Sequence, residues 1–332
     1  MARFHTQIRY LSLVVVSGLS LLLNAACSSS GNEAPKSEVS LQLDWFPEPE
    51  HLGFYEAAES PLLKEVGVEL ELLSGGPNSM AMQKVGSGQV DLGIWRSDDI
   101  IVQVSRGMPL VIVGAYMQHD PQALMMHAAS PVRDFRDLDG RAVMVGQASM
   151  WVDFIQKHFD IRFQFIPLNY SLASFMDDPD MIRQCYVTSE PYFAERQGVP
   201  VRTLLISDSG FDPYRVIFTS REFLEAHPEL VERVHRAAMS GWGAFVQDDY
   251  GQGLARLEQV NDELTPGFVN YVRDTLLEKQ LLLGNPAIGE ALGVLDRTRL
   301  AEQARQLYDN GFTECLLDPE DFAVFNFSTS NE

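Results

Sequence analysis

Val39-Ser40-Leu41-Gln42-Leu43-Asp44-Trp45-Phe46-Pro47 is the stretch on which the reading of this chain turns. Apolar side chains at 39, 41 and 43 alternate with polar ones, the period of a strand with one face on a core. The run stops at Asp44-Trp45, so a carboxylate and a large aromatic stand at the strand's carboxyl end. A helix is expected over residues 52–66. Val68-Glu69-Leu70-Glu71-Leu72 then alternates again. Gly75-Gly76-Pro77-Asn78 turns the chain into a short helix at 79–85, followed by a strand at 90–94, a helix at 98–105 and an apolar strand at 110–115. This β-α-β-α-β rhythm indicates an α/β unit with a largely parallel sheet.

The rhythm restarts after Asp139-Gly140. Strands are expected at 142–145, 163–166, 182–187, 203–206 and 214–219, with a helix at 151–159. Beyond them the chain reads as nearly all helical. Leu230, Val234, Ala237, Ala238, Gly241, Trp242 and Phe245 share one face of a long helix. Two α/β units and a helical tail predict two lobes with the chain crossing between them. The expected division is a signal segment at 1–26, a flexible tether at 27–38, the first part of lobe 1 at 39–120, lobe 2 at 121–212, and a return to lobe 1 with C-terminal helices at 213–332.

The first residues carry Arg3 and Arg9, then an apolar stretch from 11 to 23, then Asn24-Ala25-Ala26-Cys27. A charged start, a short apolar region and small residues before a cut mark a secretory signal. The cysteine after two alanines resembles a bacterial lipobox, although Asn24 stands where such sites usually have leucine. That resemblance implies cleavage before Cys27, lipid on Cys27, and a mature protein tethered to the outer side of the cytoplasmic membrane. An ordinary cleaved signal is the alternative, and an uncleaved membrane helix is disfavoured because polar residues interrupt the stretch.

The formal charge is -21, and loss of residues 1–26 removes two arginines and no acid, giving -23 (-21 minus 2). So acidic a chain does not hold nucleic acid through a general basic surface. Cys185 and Cys315 remain besides Cys27. Pairing and free burial are both open for them. No CxxC or Cys/His cluster suggests a metal.

Several segments, in order, carry a resemblance. They are Leu43-Asp44-Trp45-Phe46-Pro47 with His51-Leu52-Gly53-Phe54-Tyr55, then Glu65-Val66-Gly67-Val68-Glu69-Leu70, Ser87-Gly88-Gln89-Val90-Asp91-Leu92-Gly93, Arg106-Gly107-Met108-Pro109-Leu110 and Asp137-Leu138-Asp139-Gly140-Arg141. Over roughly residues 39–250 the chain resembles ABC-transporter solute-binding proteins of the thiamine-pyrimidine and sulfonate-binding family. The resemblance implies a type II periplasmic-binding-protein fold, α/β throughout, with two lobes closing on one small molecule.

Ligands of open α/β sheets sit beyond the carboxyl ends of strands, and lobe interfaces supply concave pockets. The candidate ligand residues therefore stand at strand mouths. Asp44 and Trp45 follow the first strand, with His51 at the next helix start; Trp45 stacks on a planar ring or plugs the first lobe, and His51 donates to the ligand or caps the helix or lies at the surface. Arg96 and Ser97 follow the third strand, where Arg96 either clamps an anion or pairs with Asp98 or Asp99 and one residue caps the helix. Gln118 offers a donor and an acceptor to a heterocycle edge. Gln147 and Trp151 open a second-lobe helix, and Trp151 is a candidate to face Trp45 as a ring clamp, core packing being its alternative. Asn169, Glu190 and Tyr192 end second-lobe strands. Tyr214 lies at the return crossing, as contact or hinge. Glu190 resembles the acid that many family members place in the cleft. Gly75-Gly76-Pro77-Asn78 reads as a plain turn in preference to an anion cradle.

The function implied is a lipid-anchored, monomeric binding protein for an ABC permease and ATPase, taking a small planar heterocycle such as a thiamine pyrimidine precursor and needing no cofactor. One alternative is the family's pyridoxal-phosphate-dependent thiamine pyrimidine synthase. Against it, the place of the Schiff-base lysine is held by Trp95 and that of the donor histidine by Asp99. No lysine lies between Lys84 and Lys157, and the cysteine-rich iron motif is replaced by Ser209-Gly210-Phe211-Asp212-Pro213-Tyr214. Another alternative is a ligand-sensing module with the same binding chemistry.

Overall fold

The computed structural model describes residues 37–146, 149–325 and 327. Ten strands occur among them: β1 (Ser37–Gln42), β2 (Val68–Leu73), β3 (Leu92–Arg96), β4 (Leu110–Met117), β5 (Gln122–His127), β6 (Ala142–Val145), β7 (Gln164–Pro167), β8 (Ile182–Tyr186), β9 (Val201–Leu205) and β10 (Arg215–Ser220). They form two five-stranded sheets, ordered β2-β1-β3-β10-β4 and β7-β6-β8-β5-β9. No helix of the described residues is long and apolar enough to cross a membrane.

The alternation in β1 does what its period requires. Val39 and Leu41 are buried while Glu38 is exposed. Parallel β2 sets Val39 against Leu70 and Leu41 against Leu72, and parallel β3 sets Leu41 against Leu92. The sheets are less parallel than the sequence suggests. β10 comes back from the second sheet and inserts antiparallel between β3 and β4. In the second sheet β5 runs antiparallel to both β8 and β9. β5 itself was not expected. Its core Ala123-Leu124-Met125-Met126 is buried on both faces, so it shows no alternation, and methionines favour helix as readily as strand.

The helix expected over 52–66 is two helices, Leu52–Ala58 and Pro61–Lys64. Pro61 has no N–H to continue the first, and Ser60 caps the second by accepting from the Leu62 N–H at 3.2 Å. The first packs on the long helix Pro228–Val246. A Cβ on Gly241 would lie 2.1 Å from the Gly53 carbonyl oxygen, so only glycine permits this approach. Trp242 fills the space beside it, stacked on Tyr116 at 5.6 Å and edge-on to Phe54.

The chain crosses between sheets at 118–121 and again at 206–214. The crossings are bonded side by side. His119 Nδ1 lies 2.6 Å from Asp212 Oδ2, and Arg299 donates to Asp212 Oδ2 at 2.9 Å and to the Gln118 carbonyl at 2.7 Å. Cys185 is buried, Cys315 is exposed, and both are free.

Candidate functional site

The carboxyl ends of β1 and β3, the first crossing and the ends of β6, β7 and β8 converge on a cavity of about 730 Å³. Asp44 and Trp45 enter it directly from β1. The turn below holds them in place: Gly75 N–H donates to the Trp45 carbonyl at 2.9 Å, and a Cβ on Gly75 would come within 2.5 Å of the Trp45 nitrogen. The glycine pair thus braces the strand end.

Asp44 is tied on both oxygens. Arg215, the first residue of β10, donates to Oδ2, and His51 Nε2 meets Oδ1 at 3.0 Å. The backbone N–H of Glu48 donates to His51 Nδ1 at 3.3 Å, so Nε2 carries the hydrogen and donates to Asp44. Burial would raise the Asp44 carboxyl, but Arg215 and then His51 outweigh it and hold it well below the usual carboxylate range. Arg215 also donates from Nε to the Tyr116 hydroxyl at 3.1 Å and approaches Asp120 at 3.6 Å.

Arg96 is engaged in the same way. It donates to Asp99 Oδ2 from Nε at 3.1 Å and from Nη2 at 2.7 Å, and to Gln122 Oε1 from Nη1 at 3.2 Å. Trp95 adds its indole N–H to the same Asp99 oxygen at 2.9 Å. Both arginines lining the cavity therefore already carry carboxylates.

Three further acids line the cavity with weaker compensation. Burial pushes the Glu48 carboxyl up to about 7 despite His51, with Glu190 and Asp44 adding to the rise. Burial and then Glu48 raise Glu50 well above its ordinary value. Glu190 is raised by burial, although Oε2 accepts from the Tyr186 N–H at 2.8 Å and Arg183 lies 3.5 Å from Oε1. All three carboxyl groups are shifted toward the protonated form and keep an oxygen that can accept from a ligand's N–H.

Among the described residues, several contacts join the two sides at the cavity, Arg215 over the Tyr186 ring at 5.9 Å among them. Trp45 lies 5.3 Å from Tyr170, ring to ring. The Thr188 hydroxyl donates to Glu50, and Arg96 donates to Gln122.

Of the residues expected at the site, Asp44, Trp45, His51, Arg96 and Glu190 line the cavity. His51 has both ring nitrogens engaged, so it orients Asp44 and has no donor left for a ligand. Six others stand elsewhere. Ser97 donates to Gln303 at 2.7 Å and accepts from the Tyr214 N–H at 2.9 Å, pinning the return crossing. Gln118 donates to the carbonyls of Ala291 and Val294. Trp151 is fully buried in the second-lobe core, so it is no ring clamp. Asn169 is exposed and contributes its carbonyl to Arg183. Tyr192 stacks on Phe268 at 5.1 Å and takes a bond from Arg196. Tyr214 is buried beneath Arg299, 3.9 Å from its ring. Gln147 and Cys27 lie outside the described residues.

Sequence reading missed Glu48, Glu50, Gln122, Tyr170, Gln184, Tyr186 and Arg215, which all line the cavity. Arg215 had a signal. In a strand starting beside Tyr214, alternation sends residues 214 and 215 to opposite faces, so a buried Tyr214 implies that Arg215 faces away from that core.

The family model described as NMT1/THI5 like matches residues 48–249. A formylaminopyrimidine-binding protein of Halalkalibacterium halodurans is 24% identical over 250 residues, 69% of this chain and 73% of that protein. A 4-amino-5-hydroxymethyl-2-methylpyrimidine phosphate synthase of Legionella pneumophila is 27% identical over 108 residues, 32% of this chain and 34% of that enzyme. The chain spans less than half the length of most curated relatives it matches, 34–41% in the synthases and their like. In structure, the aliphatic sulphonate-binding protein SsuA of Escherichia coli matches with a TM-score of 0.66 at 16% identity, covering 87% of this chain and 92% of that one. The fold is thus that of periplasmic binding proteins, two α/β lobes about a cleft.

Proposed function

The chain belongs to the NMT1/THI5 like family, and from that premise we propose that it is the extracytoplasmic solute-binding component of an ABC importer, held to the membrane by lipid on Cys27 and closing on a small planar heterocycle. The observation that carries this reading is the cleft. It is lined by aromatic rings and by raised carboxyl groups, and its two sides meet through Trp45 and Tyr170 and through Glu50 and Thr188. A ring bearing amine or N–H groups suits it, and a thiamine pyrimidine precursor is such a ring. Ligand is captured by closure about the paired crossings, and the closed form is what a permease recognises.

The synthase reading fares worse on the residues present. The Schiff base of pyridoxal phosphate needs a lysine, and none lines the cleft. Trp95 at the corresponding place is bonded to Asp99, and the arginines that would face a phosphate are already paired. The cofactor does not fit this donor set.

Thermal-shift and calorimetric titration with 4-amino-5-hydroxymethyl-2-methylpyrimidine, N-formyl aminopyrimidines and alkanesulfonates tests the reading. Saturable one-to-one binding of a pyrimidine supports it. Tight binding of a sulfonate with none of the pyrimidines refutes the choice of ligand class.

A further inference from the structure

Two glutamines in the cleft wall are half used. Gln122 opens β5 and Gln184 lies in β8, 4% and 9% exposed, and both line the cavity. Their amide orientation is fixed by donors that leave no choice. Arg96 can only donate, so the Gln122 atom it meets at 3.2 Å is the oxygen. The Gly146 backbone N–H can only donate, so the Gln184 atom it meets at 2.9 Å is also the oxygen. Each side chain therefore turns its NH₂ away from its anchor. Neither amide nitrogen has a hydrogen-bond partner among the described residues.

The strand register sets the two amides side by side. Gln122 is opposite Tyr186, and Gln184 is two residues before Tyr186 on the same strand, hence on the same face. Diagonal neighbours of this kind are roughly 7–8 Å apart, less at their side-chain ends. Neither NH₂ is sealed inside the protein; both are accessible at the cavity wall, where an acceptor on a bound ligand can take the place of water.

We propose that Gln122 and Gln184 form a donor edge that recognises hydrogen-bond acceptors, ring nitrogens or carbonyl oxygens, on one side of the ligand, while Glu48, Glu50 and Glu190 take the N–H groups on its other side. This rests on the cleft being the ligand site. It narrows the ligand to an uncharged or protonated heterocycle with acceptors and donors on different edges. It also makes the two glutamines the residues that distinguish a nitrogen heterocycle from a carbocycle of the same shape.

The test compares 4-amino-5-hydroxymethyl-2-methylpyrimidine with its benzene counterpart, in which both ring nitrogens are C–H, by calorimetry. The chains are the parent, Gln122→Glu, Gln184→Glu and both together. Glutamate keeps an oxygen for Arg96 or for Gly146 and puts an ionisable acceptor oxygen in place of the NH₂. Gln184→Met serves as a second, uncharged variant, and melting curves check that each is folded. The parent is expected to prefer the pyrimidine by about tenfold or more, and the double variant to lose that preference to within about threefold. Folded variants that keep the parent's preference overturn the donor edge while leaving the binding function standing. A parent that binds neither ring overturns the reading of the cleft, and the donor edge with it.

Discussion

Trp45 and Tyr170 face each other at 5.3 Å between ring centroids, one following β1 in the first sheet and the other following β7 in the second. A planar ring sandwiched between two others needs them roughly 7 Å apart. The pair therefore covers the cleft and does not hold a ring between its members. Tyr170 is 63% exposed, so the contact sits at the rim. In the proposed function, closure brings these rings together over a ligand lying deeper, against Tyr186, the glutamines and the acids.

Tyr170→Ala removes that cover. Aromatic pairs of this geometry are worth about 0.5–1.5 kcal/mol, so ligand affinity is expected to fall by about two- to twelvefold. The loss should appear in the dissociation rate, measured by stopped-flow tryptophan fluorescence. An unchanged rate separates the pair from closure.

Arg215 is the electrostatic centre of the first side. Replacing it with leucine leaves Asp44 and Asp120 buried without their cation. Removing one partner of a buried pair costs about 3–5 kcal/mol. Urea unfolding of Arg215→Leu is expected to show a loss of this size, and Arg215→Lys a smaller one, because an ammonium cannot reach Asp44, Asp120 and Tyr116 together.

Glu48 gives stability a particular dependence on pH. Its folded value is about 7 against an ordinary 4.5, so the folded state binds the proton more tightly. The contribution is full below about pH 4.5 and is lost as pH rises through about 7. Glu48→Gln should be more stable than the parent at pH 7.5, with the gain shrinking toward pH 4.5, as read from melting temperatures across that window. Asp44 has the opposite sign. Its lowered value stabilises above the ordinary aspartate range and is lost on acidification, so Asp44→Asn should destabilise most at neutral pH.

Gly241→Ala tests the scaffold independently of the site. The added methyl meets the Gly53 carbonyl oxygen and the Ala57 nitrogen. Overpacking of this kind costs about 1–3 kcal/mol. The melting temperature is expected to fall, and the helix that carries His51 at its start should shift enough to weaken binding as well.

The strands of the first sheet were legible because Val39, Leu41, Val68, Leu70 and Leu72 alternate, and a half-covered sheet leaves that mark. Trp45 was legible because a strand that ends in Asp-Trp delivers both to its mouth. Gln118 and Gln122 show where reading failed. They stand four residues apart around the first crossing, and only the register of β5 with β8 decides that the second faces the cleft. Trp151 had a contrary signal, since Phe154 and Ile155 follow it at helical spacing and mark the buried face. Placing Glu48, Glu50 and Glu190 together depends on the two lobes meeting, which no local pattern encodes.

The most direct test of the central claim is mass spectrometry of the protein purified without refolding, first native and then denatured. A single small heterocycle, bound one to one and released intact on denaturation, is the predicted result. Pyridoxal phosphate retained covalently on a lysine would contradict it and restore the enzyme.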